Sequence, residues 1–241
     1  MTERGESEGA VVGFDTATAD TAVCATRGGE VLYEERLGLG GDGSPRHSTA
    51  LLGEVERAVA AAGGWGEVGA IAVGRGPGSF VGIRIGLATA RGLALSASLP
   101  VSGVCTLDAL GRALAESSTT EVPHLAVLDA RRGEVFAALY TDSGERLWEP
   151  LVLPPEVLGQ RLAELPVPPR AAGSGAVRFR DELASRGVDV PDDEDPVHRV
   201  AARHVCALAA VAGDGDGLAP IYLRVPDAQR WRERDDERTG E

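Results

Sequence analysis

The sequence predicts an α/β protein built of two related lobes. Its 241 residues suit one large domain or two small ones, at ~100–200 residues each. A unit of strand, Asp, turn, strand, glycine turn and strand occurs twice, about half a chain apart. Asp15 precedes Glu30 by 15 positions in the first copy, and Asp129 precedes Glu145 by 16 in the second. Short apolar strands alternate with amphipathic helical stretches around these units. The expected division is a flexible N-terminus over 1–9, a first lobe over 10–117, a degenerate second lobe over 118–225 and a charged, disordered tail over 226–241.

In order, strands are expected over Ala10–Asp15, Thr21–Thr26 and Glu30–Leu37, the last two joined by the turn Arg27-Gly28-Gly29. A loop, Gly38–Pro45, leads to a helix over Ser48–Ala62, in which Leu51, Val55, Ala58 and Ala62 recur at spacings of three and four. Gly63-Gly64 ends that helix. Val68–Val73 is a buried strand, followed by the glycine loop Gly74–Gly82 and a second helix that ends before Pro100. A strand over Val101–Val104 and a helix near Leu107–Glu116 complete the first lobe. After Ser117–Glu121 the order resumes with strands over His124–Asp129, Glu134–Tyr140 and Gly144–Leu151. Helices are expected near Glu156–Leu165, Val177–Arg186 and Arg199–Ala212, among prolines at 154, 155, 166, 168 and 169.

The net charge is −13, and every basic residue is Arg. The lack of lysine excludes a Walker-type phosphate-binding lysine, a Schiff-base lysine and a Ser-Lys dyad. A chain this acidic is a poor nucleic-acid binder on its own, because phosphate neutralisation needs surplus positive charge. Cys24, Cys105 and Cys206 form no Cys-x-x-Cys pair, which points to buried free thiols in a reducing compartment. Met1–Gly9 is polar and acidic, unlike a signal peptide. The most apolar run, Ile83–Leu99, contains Arg84 and Arg91 and is interrupted as a membrane span. A cytoplasmic protein with no membrane partner is expected.

Gly74-Arg-Gly-Pro-Gly-Ser-Phe-Val-Gly82 is the most informative segment. Strand, glycine loop and helix N-terminus in that order can present backbone N–H groups of Gly76, Gly78 and Ser79 to an anion. The same glycines can instead allow a tight crossover and close packing of the next helix. Asp15 and Asp129 end matching strands, where a carboxylate could hold a metal bound to nucleotide phosphates or simply cap a turn. Gly38-Leu-Gly-Gly-Asp-Gly43 matches G-x-G-x-x-G only formally, since Ser44-Pro45 interrupts entry to a helix. His47, His124, His198 and His204 form no metal-ligand spacing, and no Gly-x-Ser-x-Gly elbow is present. Ser79 reads as a helix cap or loop hydroxyl rather than a nucleophile. The helix after the loop carries Gly86, Ala90, Ala94 and Ala97 as a small-residue face, with Ala88 and Gly92 beside them. Being apolar nearly all round, it needs cover on several sides, which suggests a partner.

Phe14-Asp-Thr-Ala-Thr, Arg46-His-Ser, the unbroken string from Ala72 to Ala94, and Leu128-Asp-Ala-Arg-Arg-Gly-Glu together resemble the TsaB (YeaZ) family. The resemblance spans roughly residues 10–225 and is densest over 70–110. It implies an actin/Hsp70/sugar-kinase-like fold of two ribonuclease-H-like subdomains. It also implies a role in the bacterial complex that makes N6-threonylcarbamoyladenosine at position 37 of tRNA. In that complex the catalytic paralogue TsaD holds a metal with a His-x-x-x-His pair; here Thr106 and Leu110 stand at those places, and neither replaces imidazole.

The resemblance therefore implies a non-catalytic subunit that dimerises with TsaD through its first-lobe helices and is joined by the TsaE ATPase. It carries the contact onto Leu51, Val55, Ala58, Gly86, Ala90, Leu93, Ala94 and Ala97. Transfer RNA would be reached only through the complex, and a homodimer could form when the chain is alone. Asp15, Gly76, Gly78, Ser79 and Asp129 would be a vestigial nucleotide site, with ATP or ADP and Mg the one cofactor left open. The alternatives are an ATP- or metal-dependent enzyme of the same fold and, from the older glycoprotease naming, a peptidase.

Overall fold

The structure, a computed structural model, describes residues 9–212 and 218–224. The arm over 1–8 and the tail over 226–241 lie outside the described residues. The first sheet has β1 (Ala10–Asp15), β2 (Thr21–Arg27), β3 (Glu30–Leu37), β4 (Val68–Gly74) and β5 (Val101–Val104), in the order β3-β2-β1-β4-β5. β1 to β3 form an antiparallel meander, whereas β4 runs parallel to β1 and β5 parallel to β4. The second sheet has β6 (His124–Asp129), β7 (Val135–Tyr140), β8 (Leu151–Leu153) and β9 (Arg170–Ala172), in the order β8-β7-β6-β9. Its β7 and β8 are antiparallel neighbours and its β9 runs parallel to β6, so it repeats the first sheet without the last strand. The repeat read from Asp15 and Asp129 is therefore a repeat of topology.

Helices α1 (His47–Ala61) and α2 (Phe80–Ala97) cover one face of the first sheet. Leu51, Val55 and Ala58 of α1 and Ile83, Leu87 and Ala90 of α2 close on Val12, Phe14, Val23, Ile71 and Val73. Each large aliphatic side chain removed from water there contributes about 1.5–3 kcal/mol. On the second sheet, α4 (Pro155–Leu162), α5 (Ser174–Arg178) and α6 (Arg180–Ala184) cover the face that carries Leu125, Val127 and Leu139.

The remaining faces depart from the sequence reading. Helix α3 (Thr106–Ser117), assigned to the first lobe, packs Leu107 and Leu110 on Ala126, Leu128 and Phe136 of the second sheet. Helix α7 (Ala202–Ala212), assigned to the second lobe, packs Cys206 against Ala22 and Cys24, and Val205 against Ala72, in the first. The two helices exchange lobes and also touch each other. The strands divide near residue 117; the helices cross that boundary.

Two further expectations are corrected and one strand is added. The strand expected over Gly144–Leu151 is instead Leu151–Leu153, because the N–H groups of Leu147 and Trp148 share the Leu139 carbonyl and break the ladder after β7. Arg146 is drawn aside into an ion pair with Asp108. The helix expected over Val177–Arg186 is two short ones, interrupted at Phe179, whose φ of −112° is not helical. Strand β9 lies just behind the proline-rich stretch, where the sequence predicts no strand.

Candidate functional site

The glycine loop sits between β4 and α2, against the turn that follows β1. A Cβ on Gly74 would lie 1.8 Å from Asp15 Oδ2, one on Gly78 2.1 Å from the Ala17 carbonyl, and one on Gly82 1.9 Å from the Thr16 carbonyl. On Gly86, inside α2, it would lie 2.5 Å from Thr16 Oγ1. These four glycines recur every fourth position because loop and helix must lie directly on Asp15-Thr-Ala17. The contact is bonded as well as close. The Ser79 N–H donates to the Ala17 carbonyl at 2.7 Å, and Thr16 Oγ1 donates to the Gly82 carbonyl at 2.8 Å.

The loop's own donors are used internally. Arg75 N–H goes to the Val104 carbonyl at 2.8 Å and Gly76 N–H to Thr106 Oγ1 at 3.2 Å. Gly82 N–H goes to Ser79 Oγ at 3.3 Å, which makes Ser79 the N-cap of α2. An anion cradle needs converging unpaired donors; of the candidate donors Gly76, Gly78 and Ser79, two are already bonded within the fold.

Asp15 is sealed. Its side chain is buried, accepts from Ala17 N–H and Thr106 Oγ1, both at 2.7 Å, and faces the Cα of Gly74. Burial pushes its carboxyl above the ordinary range, although both hydrogen bonds oppose that. Asp129 lies near the surface and is taken by Arg178 at 2.8 Å and by the Arg131 N–H at 2.8 Å. Each carboxylate closes its own turn, and among the described residues no group of three or more His, Cys, Asp or Glu converges on a metal position. Thr106 and Leu110 are both fully buried on the inner side of α3.

His47 is tied into the fold as well. His47 bridges Thr21 Oγ1 at 2.9 Å and the Thr18 carbonyl at 3.2 Å, and burial holds its pKa down. That is the local work of the Arg46-His-Ser motif: it ties the start of α1 to the β1–β2 turn. His204 is buried against Glu116, 3.5 Å away, and burial pulls its pKa down to about 4.

The outer surface of α2 is of another kind. Val81, Ala88, Gly92 and Leu95 are exposed, with Ile85 half-buried between them. Val81 is 64% and Leu95 84% accessible, unusual for large aliphatic side chains on an ordered helix. A Cβ on Gly92 would meet nothing within 4 Å. The adjacent helix α1 adds Leu52, 58% accessible, and the exposed Gly53. An apolar, small-residue stripe that is exposed among the described residues is what a second protein's helix needs in order to approach closely.

This stripe is not the face expected from the sequence. Leu51, Val55, Ala58, Gly86, Ala90 and Ala94 are buried in the chain's own core, while Leu93 and Ala97 are half-buried at its edge. The six buried residues are corrected from partner contacts to core. What was missed as an outward face is Val81, Ile85 and Leu95, and what stood only beside the expected face is Ala88 and Gly92. α2 is also long and apolar enough for a membrane span by composition, yet its inner side is the core of the first lobe.

Residues 42–180 match the family described as "TsaD: tRNA N6-adenosine threonylcarbamoyltransferase". The tRNA threonylcarbamoyladenosine biosynthesis protein TsaB of Escherichia coli is 33% identical over 227 residues, covering 89% of this chain and 94% of that protein. The chain belongs to the TsaB (YeaZ) family. The Bacillus subtilis TsaB is 30% identical over 68% of this chain and 73% of its own length. The structure of YeaZ from Pseudomonas aeruginosa superposes with a TM-score of 0.72 at 27% identity, covering 89% of this chain and 100% of that one. TsaB membership and the two sheets with matching strand order establish the actin/Hsp70/sugar-kinase-like fold. TsaB-family membership also places this chain among the proteins of threonylcarbamoyladenosine biosynthesis.

Proposed function

We propose that the chain is a non-catalytic subunit that docks on the catalytic paralogue TsaD through the outward stripe of α2 and activates it, with the TsaE ATPase joining the pair. One observation carries this reading: among the described residues, Val81, Ala88, Gly92 and Leu95, with Ile85 half-buried between them, form an exposed apolar stripe on α2. A stable pair would bury about 800 Å² on each side. The sealed Asp15 and the internally bonded glycine loop support a chain that performs no nucleotide chemistry of its own. With a net charge of −13, the chain would leave tRNA contact to its partners. In this reading it works in the cytoplasm, without a cofactor, and pairs with itself through the same stripe when alone.

The test is reconstitution of tRNA modification from purified components. The reading expects none from this chain alone, little from TsaD and TsaE without it, and full activity when all are combined. Turnover by this chain alone, or undiminished activity without it, would refute the proposal.

A further inference from the structure

We propose that residues 218–224 are an interlobe lock, a short strap that fixes the two lobes to one another across the mouth of the glycine loop. The proposal goes beyond partner docking and does not depend on it.

The strap is anchored to the first lobe along one flank of α2. Arg91 donates to the Leu218 carbonyl at 2.9 Å and Arg75 to the Ala219 carbonyl at 3.4 Å. The Ile221 N–H then donates to the Arg75 carbonyl at 2.8 Å. Tyr222 accepts from Arg84 Nε at 3.3 Å and packs its ring on Phe80, with centroids 5.1 Å apart. The Arg84 guanidinium also lies over the Phe80 ring, 3.8 Å from its centroid. The far end of the strap belongs to the second lobe. Arg224 donates to the Ala130 carbonyl at 2.9 Å and the Arg131 carbonyl at 3.4 Å, and pairs with Glu134. Between the anchors, Ile221 and Leu223 enter the apolar cluster of Cys105, Leu107, Leu128 and Phe136 beneath α3.

Seven residues thus touch α2, the glycine loop, α3 and the β6–β7 turn. The middle of the strap also caps the loop: a Cβ on Gly76 would lie 3.2 Å from the Ile221 carbonyl. Because the strap is held at both ends, releasing either end should loosen the lobe at the other. A segment that only decorates the surface would lack that reciprocity.

Amide hydrogen exchange on the full chain tests it. In the wild-type chain the Ile221 amide should be protected like those of the sheet edges. Arg224→Ala, a change in the second lobe, should speed exchange at Ile221, Gly76 and Thr106 by about tenfold or more, while β1 amides such as Val12 stay unchanged. Arg91→Ala, in the first lobe, should speed the Ala130 amide, which donates to the Glu134 carbonyl. Arg224→Lys keeps the charge, loses the fork and gives a milder form of the same pattern should Arg224→Ala fail to fold. An unprotected Ile221 in the wild-type chain, or variants whose effects stay within the lobe that was changed, would overturn the lock.

Discussion

Gly86 and Gly92 lie six residues apart on one helix, and the fold uses them in opposite ways. At Gly86 a Cβ would run into Thr16, and the helix backbone lies on the β1–β2 turn; at Gly92 a Cβ would enter open space. The inward line Gly82, Gly86, Ala90 and Ala94 binds α2 to its own sheet. The outward line Val81, Ala88, Gly92 and Leu95 stays exposed among the described residues. Small residues mark a close approach in either case, so their presence alone does not tell whether the approaching surface belongs to the same molecule.

Gly86→Leu should break the comparison most severely. The side chain has nowhere to go without displacing Thr16, so a loss of about 3 kcal/mol or more is expected, read as a collapse of the thermal midpoint or insoluble expression. Asp15→Ala comes next. It strips a buried acceptor from Ala17 N–H and Thr106 Oγ1, with an expected cost of about 1–3 kcal/mol in a urea titration. Leu95→Ser, on the outward line, should shift stability by less than about 0.5 kcal/mol, which sharpens the contrast between the two faces.

A pH titration probes the inward side as well. Burial holds His47, His124 and His204 below their ordinary value, so the unfolded chain takes up their protons first. Their contribution to stability is whole above about pH 6.5 and falls away on acidification, for His204 down to about 4. Asp15 has the opposite sign: its raised pKa makes the folded chain the better proton acceptor as pH falls. The urea midpoint should therefore drop between pH 7.5 and 5, and His204→Gln should flatten that slope. An unchanged slope would mean that His204 titrates normally in the fold.

The first lobe was legible in the sequence nearly strand for strand, because each element announces itself locally: alternating residues in β2, glycine turns, and a helix bounded by Gly63-Gly64. The second lobe was less so. Its third strand gives way to a charged turn, and β9 is three residues behind a run of prolines. The exchange of α3 and α7 between lobes had no local signal, since only contacts distant in sequence decide it. The two faces of α2 were confused because the helix is apolar nearly all round, so hydrophobic periodicity cannot tell inside from outside. A usable signal was present. Gly74, Gly78, Gly82 and Gly86 share one four-residue register that begins in the loop, and whatever the loop lies on, that register lies on too. Ala88 and Gly92 are off it. Asp15 was visible as a strand-ending carboxylate; that Thr106 seals it from above was not.

The most direct measurement is co-sedimentation of TsaD with wild-type chain and with Gly92→Arg. The substituted side chain has room in the chain, and Arg is a better helix former than Gly, so at concentrations where the chain is monomeric its unfolding midpoint should not fall below that of the wild type. The account predicts that the variant, though folded, loses TsaD affinity by tenfold or more, about 1.4 kcal/mol. A folded Gly92→Arg chain that sediments with TsaD as tightly as the wild type would contradict it.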